Sequence, residues 1–244
     1  MSMLNEKQEE RVAKNLAKPL PEEHEMKKGG RKVIWYVVRF FMKLLFRAEV
    51  ENPENLPDEG PVMLCSNHVH YFDIPLIHLQ LDRWVYWVAR ESLFRFHFSS
   101  HFIPWWGAIP LDVYNPEPKS LRMMMACLKK GRVLGIFPQG TRCNDPEKLR
   151  NTPPKTGAIS LAMRYNAQIL PVAVDGEFKL FRKTKLIVGE PYTIDLPPRT
   201  RLSEEEMMTL SIELMEKIFA LKGEKYPLRN KAELTGGRLQ NEDE

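Results

Sequence analysis

Residues 133–142 read VLGIFPQGTR, and this stretch decides the fold class. The run at 133–137 is apolar without interruption, as in a strand that is buried on both faces of a parallel sheet. Pro138 and Gly140 then end the strand in a turn that carries polar side chains. Similar apolar runs occur at 61–67, 84–89, 106–113 and 168–174, with weaker strands at 185–188 and 192–195. Helix-like stretches fall at 74–81, 118–130, 156–165 and 203–221. This alternation predicts an α/β fold with a mostly parallel, mixed sheet flanked by helices.

Size and composition narrow the class of protein further. A chain of 244 residues with 43% hydrophobic residues can bury a full core and is not disordered. Three cysteines without a secretory leader argue against a disulfide scaffold and for a reducing compartment. No Cys-x-x-Cys pair is present, so we expect no metal and no resident cofactor.

The positive charge is concentrated near the N-terminus, in residues 27–47, KKGGRKVIWYVVRFFMKLLFR. This segment holds seven Lys and Arg and no acid, while the whole chain has a net charge of +4, so the rest carries 4 − 7 = −3. Arg39, Lys43 and Arg47 recur every four residues and share one helical stripe. The longest uncharged run, 33–38, is far shorter than the ~20 residues of a membrane span.

Two interpretations of this segment remain open. It is typical of an amphipathic helix lying in a membrane interface beside anionic lipids, and a short monotopic insertion is a variant of that idea. It is also compatible with a globular helix whose apolar face packs on the core. The bulky apolar residues between the charges argue against a nucleic-acid partner. We therefore predict an N-terminal membrane-docking segment (1–48), an α/β domain (49–230) and a flexible tail (231–244), with the protein peripheral or monotopic on the cytoplasmic face of the cell membrane.

Three polar clusters follow predicted strands, where ligands bind in open α/β sheets. His68 and Asp73 have the spacing H-x4-D, in which the carboxylate could orient the imidazole as a general base. The alternative is a helix cap at Asp73 and a surface histidine. The turn that ends in Arg142 could cradle an anion, and Lys155 precedes a helix N-terminus. The neighbouring His70 and His78 are interpreted as structural.

The order of these motifs resembles the glycerolipid acyltransferase family, specifically the 1-acyl-sn-glycerol-3-phosphate acyltransferases of the bacterial PlsC type. The resemblance covers about residues 50–195, most of the chain. It rests on N-H-x4-D at 67–73, G-A-I-P-L-D at 107–112, F-P-Q-G-T-R at 137–142 and L-P-V at 170–172. Two positions depart from the family pattern: Gln139 replaces the usual Glu of the third motif, and Val113 replaces the usual Arg that ends the second.

The resemblance implies a thioester donor, acyl-coenzyme A or acyl carrier protein, and lysophosphatidic acid or a related lysophospholipid as acceptor. It makes His68 the general base and Asp73 the residue that orients it. The expected substrate-binding residues are Gln139, Gly140, Thr141, Arg142, Lys155 and Pro171, the last of them shaping the acyl side of the pocket. The alternatives are a thioester hydrolase using the same base on water, or a membrane-binding family member with an altered acceptor or lost activity.

Overall fold

A twisted sheet forms the centre of the molecule, and the described residues contribute seven strands to it. The computed structural model describes residues 3–22, 28–113, 115–176, 181–195 and 201–235. The strands are β1 (Glu49–Glu51), β2 (Val62–Ser66), β3 (Val85–Arg90), β4 (Ile109–Leu111), β5 (Val133–Ile136), β6 (Gln168–Gly176) and β7 (Thr184–Val188). Their order is β1-β7-β6-β2-β5-β3-β4, and only the β6–β7 pair is antiparallel. This confirms the predicted mixed, mostly parallel sheet.

Helices cover both faces of the sheet. They are α1 (Met3–Ala17), α2 (Gly29–Phe46), α3 (Asp73–Gln80), α4 (Ser99–Trp105), α5 (Pro118–Lys129), α6 (Pro146–Asn151), α7 (Gly157–Tyr165), α8 (Glu204–Ala220) and α9 (Lys231–Leu234). Short 3₁₀ turns occupy Pro53–Asn55 and Glu91–Phe94. Helix α8 begins with a capping box: Ser203 Oγ accepts from the Glu206 amide, and Glu206 Oε2 accepts from the Ser203 amide.

Four short elements, β1, α4, α6 and α9, were not predicted because each is too short to show a period, and α9 lies in the segment predicted as a flexible tail. The weak strand predicted at 192–195 is wrong. Only Tyr192 forms a bridge, to Ile169, and Pro191 before it has no amide to donate.

Side chains of β2 alternate between two apolar layers. Val62 and Leu64 face the layer that includes α2 and α3, while Met63 and Cys65 face the layer that includes α5, α7 and α8. Both layers are buried, which explains why the strands read as continuous apolar runs. In β5, a Cβ at Gly135 would lie 2.6 Å from Val85 Cγ1, so the close approach of β3 requires glycine there.

Helices α1 and α2 of the N-terminal segment pack on the sheet domain. Val12 and Leu16 of α1 are buried in a cluster with Phe94, and Asn15 Nδ2 donates to Ser100 O at 3.0 Å. At the other end of the chain, Lys231 of α9 forms an ion pair with Glu216. Residues 236–244 of the predicted tail lie outside the described residues.

Helix α2 has one face packed and one face open. Met42 and Phe46 are buried, and α3 lies against this side. The opposite side, which we call the exposed α2 face, consists of Val33, Tyr36, Val37, Phe40, Phe41 and Leu44, each 48% exposed or more. The basic stripe is shorter than the spacing predicts, because Arg47 is the C-cap, with φ of 43°. Within the described residues, no helix has the length and apolar content needed to cross a bilayer.

Candidate active site

The carboxyl ends of four parallel strands meet at one edge of the sheet. Strands β2, β5, β3 and β4 lie side by side in that order and point the same way. A cleft of about 1260 Å³ opens beyond their ends. His68, which follows β2, and Gly140, which follows β5, both line it. Ligands bind at this edge in open α/β sheets, and Lys155 of the third predicted cluster lines the cleft as well, so the structure brings all three clusters to the expected place.

His68 and Asp73 form a tight pair in this cleft. His68 Nδ1 lies 2.6 Å from Asp73 Oδ2, and the same oxygen accepts the amides of Val69 at 2.7 Å and His70 at 2.8 Å. Asp73 is fully buried as the first residue of α3, where the helix dipole favours a negative charge. These contacts place the Nδ1 proton toward Asp73, and Nε2 is then the nitrogen that can accept a proton.

The backbone around His68 is fixed from both sides. Before it, Asn67 continues the sheet with its side chain: Nδ2 donates to Val174 O at 2.9 Å and Oδ1 accepts the Val174 amide at 2.8 Å. After it, His68 O accepts the Cys143 amide at 2.7 Å. The imidazole stacks on Phe137, with centroids 3.9 Å apart and planes at 11°. The ring therefore has a defined orientation, and its side chain keeps 17% exposure toward the cleft.

The turn after β5 is built around Gly140. Its φ is +68°, a conformation that other residues rarely adopt, and its amide donates to Phe137 O at 2.9 Å. A Cβ at this position would lie 3.2 Å from Val113 Cγ1 and 3.4 Å from Lys155 Cε. Val113, where the family pattern has an arginine, thus forms an apolar wall of the cleft beside the turn.

Cations line the cleft around this turn. Arg142 and Lys155, both predicted from sequence, face it, and the amide of Lys155 donates to Pro138 O at 2.9 Å. Lys148 of α6 also lines the cleft, and its Nζ donates to Thr141 Oγ1 at 3.4 Å. The charged residues of the lining are Arg90, Arg142, Lys148, Lys155 and Arg164 against a single acid, Asp112. This balance favours an anionic ligand.

Two residues of the site were missed by sequence reasoning. Lys148 sits on a helix too short to recognise, six residues from the turn, and no pattern marked it. Tyr71 lies inside the H-x4-D spacing, where only the end positions were considered. An inspection of aromatic and basic residues within and just beyond the motifs would have found both.

Two predicted substrate-binding residues are corrected by the structure. Gln139 is 3% exposed and does not line the cleft; its Nε2 donates to Thr152 O at 2.9 Å and lies 3.4 Å from Tyr226 Oη. Its hydrogen bond supports the turn from the buried side, away from the cleft. Pro171 lies midway along β6, opposite Cys65 of β2, and its carbonyl accepts the Gly189 amide at 2.9 Å. It belongs to the core, because β6 lies on the far side of β2 from the cleft.

Much of the remaining lining of the cleft is apolar. It includes Leu93, Leu111, Leu121, Met124, Leu161 and Met208. Unbranched methionines adapt to chains of different shape. The cleft therefore offers both cations and a large apolar surface, which is the complement of an anionic amphiphile.

The remaining candidates carry structural roles. His78 is buried with its ring 4.3 Å from that of Trp84, and His70 Nδ1 accepts the Phe72 amide at 3.3 Å. Burial raises the pKa of the Cys143 thiol, as it does for Cys65, so neither is a ready nucleophile at neutral pH. Among the described residues, no group of three or more His, Cys, Asp or Glu could hold a metal ion.

The fold and the site together define an α/β enzyme with a His–Asp pair in an amphiphilic cleft. A protein-family model described as Acyltransferase matches residues 47–175, which is 129 of the 244 residues. The 1-acyl-sn-glycerol-3-phosphate acyltransferase of Bacillus subtilis (strain 168) is 31% identical over 176 residues, 68% of this chain and 86% of that protein. The chain belongs to the acyltransferase family and is an acyltransferase.

Two further similarities agree with this assignment. The 1-acyl-sn-glycerol-3-phosphate acyltransferase of Helicobacter pylori (strain J99) is 28% identical over 160 residues, covering 60% of this chain and 66% of that one. The crystal structure of PlsC, the 1-acyl-sn-glycerophosphate (LPA) acyltransferase from Thermotoga maritima, superposes with a TM-score of 0.58. It covers 88% of this chain and 86% of the other at 21% identity, and so confirms the fold.

Proposed function

We propose that this enzyme moves a fatty acyl group from an acyl-coenzyme A or acyl carrier protein thioester to the hydroxyl of lysophosphatidic acid or a related lysophospholipid, in phospholipid biosynthesis. The observation that carries the proposal is the placement of the His68–Asp73 pair in the same cleft as the basic turn. A hydroxyl, a phosphate and an acyl chain are the three features such a substrate pair must present. The names of the relatives agree with this acceptor.

His68 acts as the general base in this scheme. Asp73 accepts a hydrogen bond from Nδ1–H and holds the ring, so Nε2 takes the proton from the acceptor hydroxyl as its oxygen attacks the thioester carbonyl carbon. The tetrahedral intermediate collapses, the carbon–sulfur bond breaks, and the thiolate leaves and takes the proton back from the imidazolium. A thiolate is a good leaving group, so no acyl-enzyme intermediate is needed.

The cations that line the cleft bind the acceptor phosphate. Arg142 offers a planar fork of donors, and Lys148 and Lys155 add charge beside the same turn. These three side chains supply positive charge although residue 113, an arginine in the family pattern, is a valine here. The apolar part of the lining accepts an acyl chain.

The exposed α2 face docks the enzyme on a membrane, at the cytoplasmic face of the cell membrane and as a peripheral or monotopic protein. Six bulky apolar side chains are open on one helix, and Lys32 and Lys43 are exposed beside them. Large exposed apolar patches mark interaction surfaces, and lysines at their border favour anionic lipids.

An acceptor panel tests the function. The purified protein is given one long-chain acyl-coenzyme A, or the same chain on acyl carrier protein, with lysophosphatidic acid, other lysophospholipids or no acceptor. Thiol release and lipid products are read by mass spectrometry. We expect phosphatidic acid only with lysophosphatidic acid present. Thiol release with free fatty acid and no dependence on acceptor would identify a hydrolase instead, and no thiol release with any donor would contradict the proposal.

A further inference from the structure

Tyr71 stacks on the cation that ends the basic turn. The Arg142 Cζ lies 3.5 Å from the centroid of the Tyr71 ring, and both side chains line the cleft with His68. Tyr71 is 70% exposed, so its position is not explained by burial in the core. An exposed aromatic ring directly under an arginine at the site calls for a functional explanation.

We propose that Tyr71 is a positioning residue for Arg142, and that it thereby sets a preference for acceptors that carry a phosphate monoester. The inference rests on the proposed function and adds a determinant of acceptor choice to it.

The geometry of stacking supports this role. A ring under the flat face of a guanidinium leaves its N–H groups, which lie in the plane, free to donate at the edge. The long arginine side chain otherwise loses much rotamer freedom when it binds a ligand, and a side chain that is already held loses less. Stacking therefore lowers the cost of binding without using the donors that contact the phosphate.

The segments that carry Tyr71 and Arg142 are both hydrogen-bonded to the His68–Asp73 pair. The loop that carries Tyr71 is fixed because Asp73 accepts the two amides that precede it, those of Val69 and His70. The turn that carries Arg142 is fixed because the Cys143 amide donates to His68 O. Tyr71 thus places the arginine fork at a set position relative to His68, which a flexible surface arginine would lack.

This arrangement discriminates between acceptors by the negative charge on the terminal oxygens that the fork binds. A phosphate monoester presents three terminal oxygens and up to two negative charges, and a guanidinium fork can bind two of those oxygens at once. A phosphodiester headgroup has one negative charge and two terminal oxygens. Loss of the stack should therefore penalise lysophosphatidic acid more than a lysophospholipid with a diester headgroup.

The test compares Tyr71→Leu with Tyr71→Phe, which keeps the ring. We expect Tyr71→Leu to raise the KM for lysophosphatidic acid by about three- to tenfold, with kcat within twofold and the KM for the thioester unchanged. Tyr71→Phe should behave as the wild type. Phe96→Leu, at an exposed ring that does not line the cleft, controls for the loss of any surface aromatic residue.

A double variant separates positioning from a merely structural effect. In the Arg142→Ala background, Tyr71→Leu should raise the KM no further, because the cation it holds is gone. An equal effect in both backgrounds, a fall in kcat without a KM change, or an equal loss in Tyr71→Phe would overturn the inference.

Direct binding keeps this test separate from the proposed function. Titration calorimetry with a short-chain lysophosphatidic acid needs no turnover. If the wild type binds this probe but transfers no acyl group, the proposed function fails while the Tyr71 comparison stands. If the wild type is an active transferase and Tyr71→Leu binds the probe as well as wild type, the inference alone fails.

Discussion

The cleft and the exposed α2 face both combine positive charge with apolar side chains, but they are organised in opposite ways. In the cleft the cations converge and are held: Arg142 lies on Tyr71, and Lys148 reaches Thr141. On α2 the exposed cations, Lys32 and Lys43, lie along a helix that presents six apolar side chains to the surroundings, whereas Arg31 and Arg39 stack on tryptophan rings. A convergent, held set of charges suits one small anion, whereas a spread set suits an extended anionic surface. Substitutions in the two regions should therefore change different measurements.

The largest effect is expected at His68. His68→Ala removes the proton acceptor, and we expect kcat to fall by about 10²–10⁴-fold, with circular dichroism and Tm close to wild type. His97→Ala, at an exposed histidine that does not line the cleft, is the matched control. Steady-state kinetics with detergent-dispersed acceptor measure both. If His68→Ala retains near-normal turnover, the general-base role of His68 is wrong.

Arg142→Ala comes next, because it removes a charged donor from the convergent set. A hydrogen bond to a charged group contributes roughly 1.5–3 kcal/mol, so the KM for lysophosphatidic acid should rise about 10- to 100-fold while kcat changes little. Arg150→Ala, an exposed arginine of α6 outside the cleft lining, is the control. Lys43→Ala on α2 should leave this KM unchanged with detergent-dispersed acceptor. A similar KM for Arg142→Ala and wild type would exclude Arg142 from phosphate binding.

Substitutions on the exposed α2 face should change the affinity for vesicles and leave kcat and KM with detergent-dispersed acceptor unchanged. Phe40→Asp removes an apolar contact worth roughly 1.5–3 kcal/mol if the ring is buried in lipid, so we expect at least a tenfold weaker affinity for anionic vesicles in sedimentation assays. Phe96→Asp introduces the same change at an exposed ring outside this face.

Charge on the same face gives a second, smaller readout. Lys43→Ala should weaken binding to anionic vesicles about fivefold, since each lysine near such a surface contributes about 1 kcal/mol. This difference should disappear in high salt and with neutral lipid. If Phe40→Asp binds vesicles as tightly as Phe96→Asp, this face is not the docking surface.

Much of the fold could be predicted because both faces of the central strands are covered. Strand β5 and helix α8 were recognisable, the first from its continuous apolar run and the second from its Ser203–Glu206 cap. Elements such as β1 and α6 escape prediction because they are short and also lack the continuous apolar run that marks an equally short strand such as β5. Their positions follow from tertiary packing.

The site was predictable where chemistry and strand ends coincide. His68 and Arg142 line the cleft at the edge that the topology selects, and the buried Asp73 is hydrogen-bonded to His68. Gln139 and Pro171 were misplaced because membership of a motif does not say which way a side chain points. Gln139 precedes the glycine of the turn and points backward into the core, toward Thr152 O. That direction depends on the path of residues far along the chain.

The smallest effect is expected at Gln139. It should appear in stability, whereas the cleft variants change the kinetics and the α2 variants change vesicle binding. A glutamate there lacks the N–H that Thr152 O accepts, and burial disfavours its charge. We expect Gln139→Glu to lower the free energy of unfolding by about 1–3 kcal/mol, or about 2–12 °C in Tm, with the KM for lysophosphatidic acid nearly unchanged.

The same variant should be sensitive to pH. Burial raises the carboxyl pKa of the introduced glutamate, so the stability deficit should grow as the pH rises through that value and shrink in acid, where the neutral acid can donate to Thr152 O. Gln139→Met, which removes both polar atoms and leaves Tyr226 Oη to donate to Thr152 O, is the comparison without this pH dependence. A Gln139→Glu protein with the Tm of the wild type but a raised KM would show that residue 139 belongs to the binding site.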